Sequence, residues 1–143
     1  MKVIFLDIDG VMITANSSIG RFDPTCVENL KQVMDQTGAM IVVSSTYRSL
    51  GFERLKQLFE TNGITNGLIG LTPMIPYGTR GEEIKQYLEE ASLEPSTTID
   101  HFVIVDDHDN MGELHPYLIQ TNGTIGLDHT IRDKAIQFLM KIH

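Results

Sequence analysis

At 143 residues, the chain is long enough for one domain with a real hydrophobic core, and 41% apolar with 21% charged residues excludes a disordered polymer. A formal net charge of −8 gives no overall field for drawing in nucleic acid or an anionic membrane, although a local basic patch is compatible with it. The single cysteine, Cys26, allows no intrachain disulfide and fits a reducing, cytoplasmic setting.

The N-terminal run MKVIFLDIDG is too short, and too soon ended by acids, to read as a signal peptide or a membrane span. Its apolar part, Val3 to Leu6, has the continuous hydrophobicity of a strand buried on both faces. Residues 10–20 read as irregular. Asp23-Pro24 is a helix start, with Asp as N-cap and Pro at the first helical position, and Gly38 stops that helix after Thr37. Cys26 falls within it as a packing residue. Met40 to Val43 is a second buried strand. Leu50 to Thr61 predicts a helix with Leu55, Leu58 and Phe59 on one face, ended by Asn62-Gly63.

Gly67 to Leu71 reads as a short strand, followed by a loop marked by Pro73, Pro76 and Gly78. Gly81 to Ala91 predicts a helix, Phe102 to Val105 a fourth strand, Tyr117 to Gln120 a short last one, and Ile131 to Ile142 a closing helix with Ala135, Leu139 and Ile142 inward. No repeat or linker divides the chain, so residues 1–143 are expected to form a single domain. Strands alternating with helices predict an α/β fold: a three-layer, Rossmann-like parallel sheet with helices on both faces.

Ligands of such sheets bind beyond the carboxyl ends of the strands, near a switch in strand order. Three polar clusters follow apolar strands here: Asp7-Ile8-Asp9-Gly10, Ser44-Ser45-Thr46-Tyr47-Arg48 and Asp106-Asp107-His108-Asp109. All should converge on one sheet edge. Four carboxylates gathered there repel one another, and a divalent cation relieves the repulsion; hard oxygen ligands select Mg²⁺. The same residue types suit phosphoryl transfer. A carboxylate can attack phosphorus, a second carboxyl two residues on can protonate the leaving oxygen and then activate water, and a hydroxyl with backbone N–H groups can hold the phosphoryl oxygens.

These clusters resemble the motifs of the haloacid dehalogenase-like (HAD) phosphohydrolases. FLDIDGV resembles their first motif, VVSS their second and VIVDD their fourth, in the right order over nearly the whole chain. The resemblance implies Asp7 as nucleophile and metal ligand, Asp9 as general acid/base and carbonyl ligand, Ser44 as the phosphate-binding hydroxyl ahead of Ser45, and Asp106 and Asp107 as further metal ligands. Gly10, Ser45 and Arg48 are expected as substrate contacts. The family's third-motif lysine has no direct counterpart: Thr79-Arg80-Gly81-Glu82 occupies its place, with Arg80 the closest match and Lys85 the alternative. Asp109 is open between a metal contact and a turn.

About 33 residues separate Asp9 from Ser44, and a helix uses half of them, so no cap domain is expected and the site should be open unless a second copy of the chain covers it. DIDGV, VVSSTYR, RGEEIKQYL, HFVIVDDHDNMG and QTNGTIGL further resemble a compact, capless subfamily related to HAD domains of RNA-repair proteins and to the phosphatase part of polynucleotide kinase-phosphatases. That implies a phosphorylated nucleic-acid end, such as a 3′-phosphate, as substrate, with Arg54 and Lys56 along the strand's path. A nucleotide or small-metabolite phosphatase, a receiver-like signalling domain and a catalytically idle Mg²⁺- or phosphate-binding module are the rival readings.

Overall fold

The computed structural model describes residues 1–141. Five parallel strands form one sheet: β1 (Lys2–Leu6), β2 (Met40–Val43), β3 (Leu68–Leu71), β4 (His101–Asp106) and β5 (Leu118–Gln120). Their order is β3-β2-β1-β4-β5. The chain runs outward from β1 to β3, then crosses back to β4 on the other side. The switch in strand order therefore falls at β1, between β2 and β4, where the α/β rule puts ligands.

The helices are α1 (Pro24–Thr37), α2 (Phe52–Thr61), α3 (Arg80–Ala91) and α4 (His129–Met140). Alternation along the strands sorts the core into two layers. Ile4, Leu6, Ile41, Val43, Val103 and Val105 face α1, α2 and α4. Val3, Phe5, Val42 and Ile104 face α3 and the 3₁₀ segment Gly112–Tyr117. The strands are hydrophobic on both faces because both faces are covered, as continuous apolar runs require. The α/β, three-layer reading thus holds, and no additional domain interrupts either the stretch from β1 to α1 or that from β2 to α3.

Helix α1 has the expected ends: the Asp23 carboxylate accepts from Thr25 N at 2.9 Å, and Gly38 N donates to Met34 O at 2.8 Å. Cys26 is buried in the core as expected, and burial pushes its thiol up to about 11. The predicted helix from Leu50 divides in two. Residues Thr46–Leu50 form a 3₁₀ turn capped by Ser45, Gly51 breaks the path at φ 86°, and α2 begins at Phe52. Helix α4 starts two residues earlier than predicted, on its Asp128 cap, and Ala135 and Leu139 are buried. Ile142 lies outside the described residues. Among the described residues no helix is long and apolar enough to cross a membrane.

Candidate active site

The residues that follow β1, β2, β3 and β5 are each tied to the strand beside them. Asp7 N donates to Val105 O at 3.0 Å, Ser44 N to Leu6 O at 2.9 Å, Thr72 N to Val43 O at 3.0 Å and Thr121 N to Asp106 O at 3.0 Å. The ladders so extended set Thr72, Ser44, Asp7, Asp106 and Thr121 in a row across the carboxyl edge. Leu6 pairs with Val43 and with Val105, so Asp7 lies between Ser44 on one side and Asp106 on the other.

The turn after β1 folds back on itself. Ile8 is fully buried and its carbonyl accepts from Val11, Met12 and Ile13 at 2.8–3.2 Å. This fixes Asp7 toward the strand edge and leaves Asp9 exposed. Gly10 sits at φ 79°, and a Cβ there would overlap the Asp107 carboxylate. Glycine is needed twice over, for the left-handed backbone and for the close approach of that acid. The Gly10 carbonyl accepts from the Thr121 hydroxyl at 2.7 Å, which ties the first cluster to the end of β5.

Asp7 and Asp106 are both buried. Burial first, and then the charge of Asp106, push the Asp7 carboxyl up to about 8, despite an Ile8 N–H at 2.8 Å and the Arg80 guanidinium. Burial also raises Asp106, with the charge of Asp107 adding to it. Carboxylates buried this close to one another favour a cation among them. One oxygen from Asp106, one from Asp107 and a ring nitrogen of His108 lie within 4.8 Å of one another, close enough to share a cation. Asp7 adds a further hard oxygen, so the donor set fits Mg²⁺. The His108 side chain is exposed and sits 3.3 Å from Asp107. The Asp109 carbonyl accepts from Met111 N at 2.8 Å, and its side chain is exposed.

The two serines after β2 part company. The Ser45 hydroxyl accepts from Tyr47 N at 3.2 Å and caps the 3₁₀ turn. Only 1% of Ser44 is exposed, and its hydroxyl is buried without a partner. A buried orphan hydroxyl costs free energy, and at this sheet edge it is open to a partner from outside the protein. Ser44→Ala is therefore expected to leave stability unchanged or slightly higher while lowering kcat/KM about 10²-fold. Ser45→Ala should lower stability by about 1 kcal/mol through the lost cap and change turnover far less. Thermal melts and steady-state kinetics of the two variants check this, and equal kinetic losses would remove the distinction.

Arg80 begins α3, capped by the Thr79 hydroxyl accepting from Glu82 N at 3.2 Å. A cation at a helix start opposes the helix dipole. Here Arg80 turns inward: Nη1 lies 3.9 Å from Asp7 and 3.7 Å from Asp106, and donates to the Ser44 carbonyl. Gly81 permits this position, because a Cβ there would strike the Met111 backbone. Lys85 is on the solvent side of α3, paired with Glu113 at 2.6 Å. Between the two alternatives, the arginine is the cation at the carboxylates.

Arg48, expected as a phosphate contact, has its side chain turned into the protein. It is 8% exposed, and its Nε and Nη1 are engaged by protein oxygens: Ser45 O at 2.5 Å, Thr72 Oγ1 at 2.9 Å, Pro73 O at 3.1 Å and Glu83 Oε1 at 2.9 Å. Lys56 lines a depression with Thr65 to Leu68, at the amino end of β3 and hence the edge opposite the site. Three residues that the sequence did not single out belong to the surroundings: Glu83, Thr121 and Tyr47, whose hydroxyl donates to Asp9 Oδ1 at 3.4 Å. Thr121 also ends a strand, but Gln120 interrupts the apolar run before it, unlike the run before Ser44; Glu83 had no signal.

A family model described as the HAD domain in Swiss Army Knife RNA repair proteins matches residues 3–130. No curated protein matches the chain.

Proposed function

We propose that this chain, which belongs to the family of HAD domains in Swiss Army Knife RNA repair proteins, is a Mg²⁺-dependent phosphomonoesterase that works through an aspartyl-phosphate on Asp7 and acts on a phosphorylated nucleic-acid end. A HAD domain supports a phosphatase-type hydrolase in general, and such domains generally use Mg²⁺. The observation that carries the finer reading is the orphan Ser44 hydroxyl, buried beside a nucleophile candidate and under an arginine.

In the proposed reaction, Ser44 and Arg80 hold the phosphoryl oxygens while the Asp7 carboxylate attacks phosphorus. The Asp7 O–P bond forms as the ester P–O bond breaks, and the departing oxygen takes its proton from Asp9. Water then attacks the phosphorus, Asp9 takes its proton, and the Asp7 O–P bond breaks to release phosphate and restore the carboxylate. Asp7, the Asp9 carbonyl, Asp106 and Asp107 would hold Mg²⁺, which when bound supplies positive charge to the phosphoryl oxygens. Asp9 is exposed and Tyr47 reaches its carboxylate, so the general acid is accessible to a leaving group arriving from outside the open edge. The absence of a cap suits a long substrate presented end-on.

The test is an assay with Mg²⁺ of an aryl phosphate, nucleotides, sugar phosphates and a 3′-phosphorylated oligonucleotide, with rapid quench to trap a labelled phosphoenzyme. Phosphate release should need Mg²⁺ and be fastest from the oligonucleotide. Preference for a sugar phosphate would reassign the substrate. Turnover without a trapped phosphoenzyme would count against the Asp7 intermediate, and no release from any compound would leave a binding module.

A further inference from the structure

Arg80 stands where a lysine is the usual residue, and a guanidinium needs aiming in a way that an ammonium does not. Lysine offers a point charge, whereas arginine offers a planar fork whose orientation decides what it can bind. The structure contains a device that fits this need. Glu83 lies one helical turn after Arg80, is only 6% exposed, and has both carboxylate oxygens engaged. Its Oε1 accepts from Arg48 Nη1 at 2.9 Å and lies 3.7 Å from Arg80 Nε; its Oε2 accepts from Ile75 N at 3.0 Å. One oxygen thus faces two guanidiniums. Arg48 is fixed in turn by Ser45 O, Thr72 Oγ1 and Pro73 O.

We infer that Glu83 is the positioning residue for Arg80: its carboxylate, anchored by Arg48 and Ile75 N, holds the Nε side of the Arg80 guanidinium so that Nη1 is presented to Asp7 and the phosphoryl group. Without Glu83, the nearest acids would be Asp7 and Asp106, and Arg80 would close onto the nucleophile instead of bridging to the substrate. A buried ion pair is a poor stabiliser, because desolvation offsets most of the attraction. The cost of burying Glu83 and Arg48 is consistent with a role beyond holding the fold. The inference rests on the phosphohydrolase reading for its kinetic consequence, but not for its geometry.

The geometric arm uses the ¹⁵N-labelled full chain. The Arg80 Nε–H resonance, assigned by its loss in Arg80→Lys, should be resolved from those of exposed arginines, and Glu83→Gln should move it into their envelope. A resonance unmoved by Glu83→Gln overturns the inference. This arm needs no turnover, so an inactive wild type would refute the proposed function and leave positioning to be decided here.

The kinetic arm is a double-mutant cycle. Glu83→Gln should lower kcat/KM about 10- to 100-fold, as loss of a supporting partner does at comparable sites, and Glu83→Asp should recover part of it. In the Arg80→Ala background, the same substitution should change little. An equal loss in both backgrounds shows a purely structural role and overturns the inference. Should Glu83→Gln fail to fold, since it leaves Arg48 buried and unpaired, the cycle is run on Arg48→Met/Glu83→Gln, which removes both charges.

Discussion

Asp7→Asn is expected to lower turnover by on the order of 10⁴-fold or more and, in the metal-free protein, to raise the melting temperature by a few degrees. The two effects have one origin. The amide keeps the shape of the side chain but cannot attack phosphorus. It also needs no proton to be buried, whereas the Asp7 carboxyl beside Asp106 must take one up on folding because Arg80 at 3.7–3.9 Å compensates only in part. In the wild-type protein that deficit appears as an Asp7 carboxyl pushed up to about 8. With Mg²⁺ present, the order of stabilities should reverse, since the metal binds the acid and not the amide. Turnover retained in Asp7→Asn would move the nucleophile elsewhere. A lower melting temperature without metal would mean that the carboxylate is better satisfied than its burial implies.

The second expected result is a pH dependence opposite to that of most acidic side chains. Metal-free protein should lose stability as the pH rises from about 4 to about 8. The folded Asp7 keeps its proton up to about 8, whereas its ordinary value is 3.8. Between those values the folded state binds more protons than the unfolded one, so each rise in pH favours unfolding. The contribution is complete below the unfolded value and gone above about 8. Asp106 shifts in the same direction, chiefly through burial. Together the loss should be on the order of a few kcal/mol. Asp100 acts in the other sense, held low by its pairing with the N-terminal amine, but its change falls at lower pH. Saturating Mg²⁺ should flatten the slope by taking the place of the protons. Urea unfolding in EDTA and in Mg²⁺ across this range measures it. A metal-free stability that climbs with pH would show that the carboxylates ionise without help.

Much of this was visible in the sequence for a simple reason. The strands β1, β2 and β4 are buried on both faces, so their hydrophobicity is continuous, and the polar residues that end them stand out. That made Asp7, Ser44 and Asp106 legible, and with them the sheet edge where they meet. The Asp23-Pro24 start and Gly38 stop of α1 were equally plain because caps are local chemistry. What was not legible depends on pairing at a distance. Ser44 and Ser45 look alike in sequence; only the backbone of the 3₁₀ turn makes one a cap and leaves the other free. The expectation for Arg48, a second phosphate contact, came from the resemblance to nucleic-acid-end phosphatases, and nothing local in the sequence shows that Glu83, 35 positions later, pairs with it inside the protein. Arg80 and Lys85 were both open for the third-motif cation, and the face of α3 on which each lies separated them. The 3₁₀ turn before Phe52 was missed because apolar spacing carries through Leu50 while Gly51 redirects the chain.

The strand order also has a kinetic consequence. Asp7 meets Ser44 through the pairing of β1 with β2, a closure of moderate length. It meets Asp106 only when Lys2 comes to lie beside His101, which closes a far longer loop around everything between. Such non-local pairings form slowly, because their entropy cost falls due before their contacts exist. The acidic pair at the centre therefore depends on the longer of the two closures that β1 makes. With only the β1–β2 pair formed, Asp7 stands beside Ser44 but not beside Asp106. The repulsion between Asp7 and Asp106 arises with that same pairing, which also brings Val103, Ile104 and Val105 into the core.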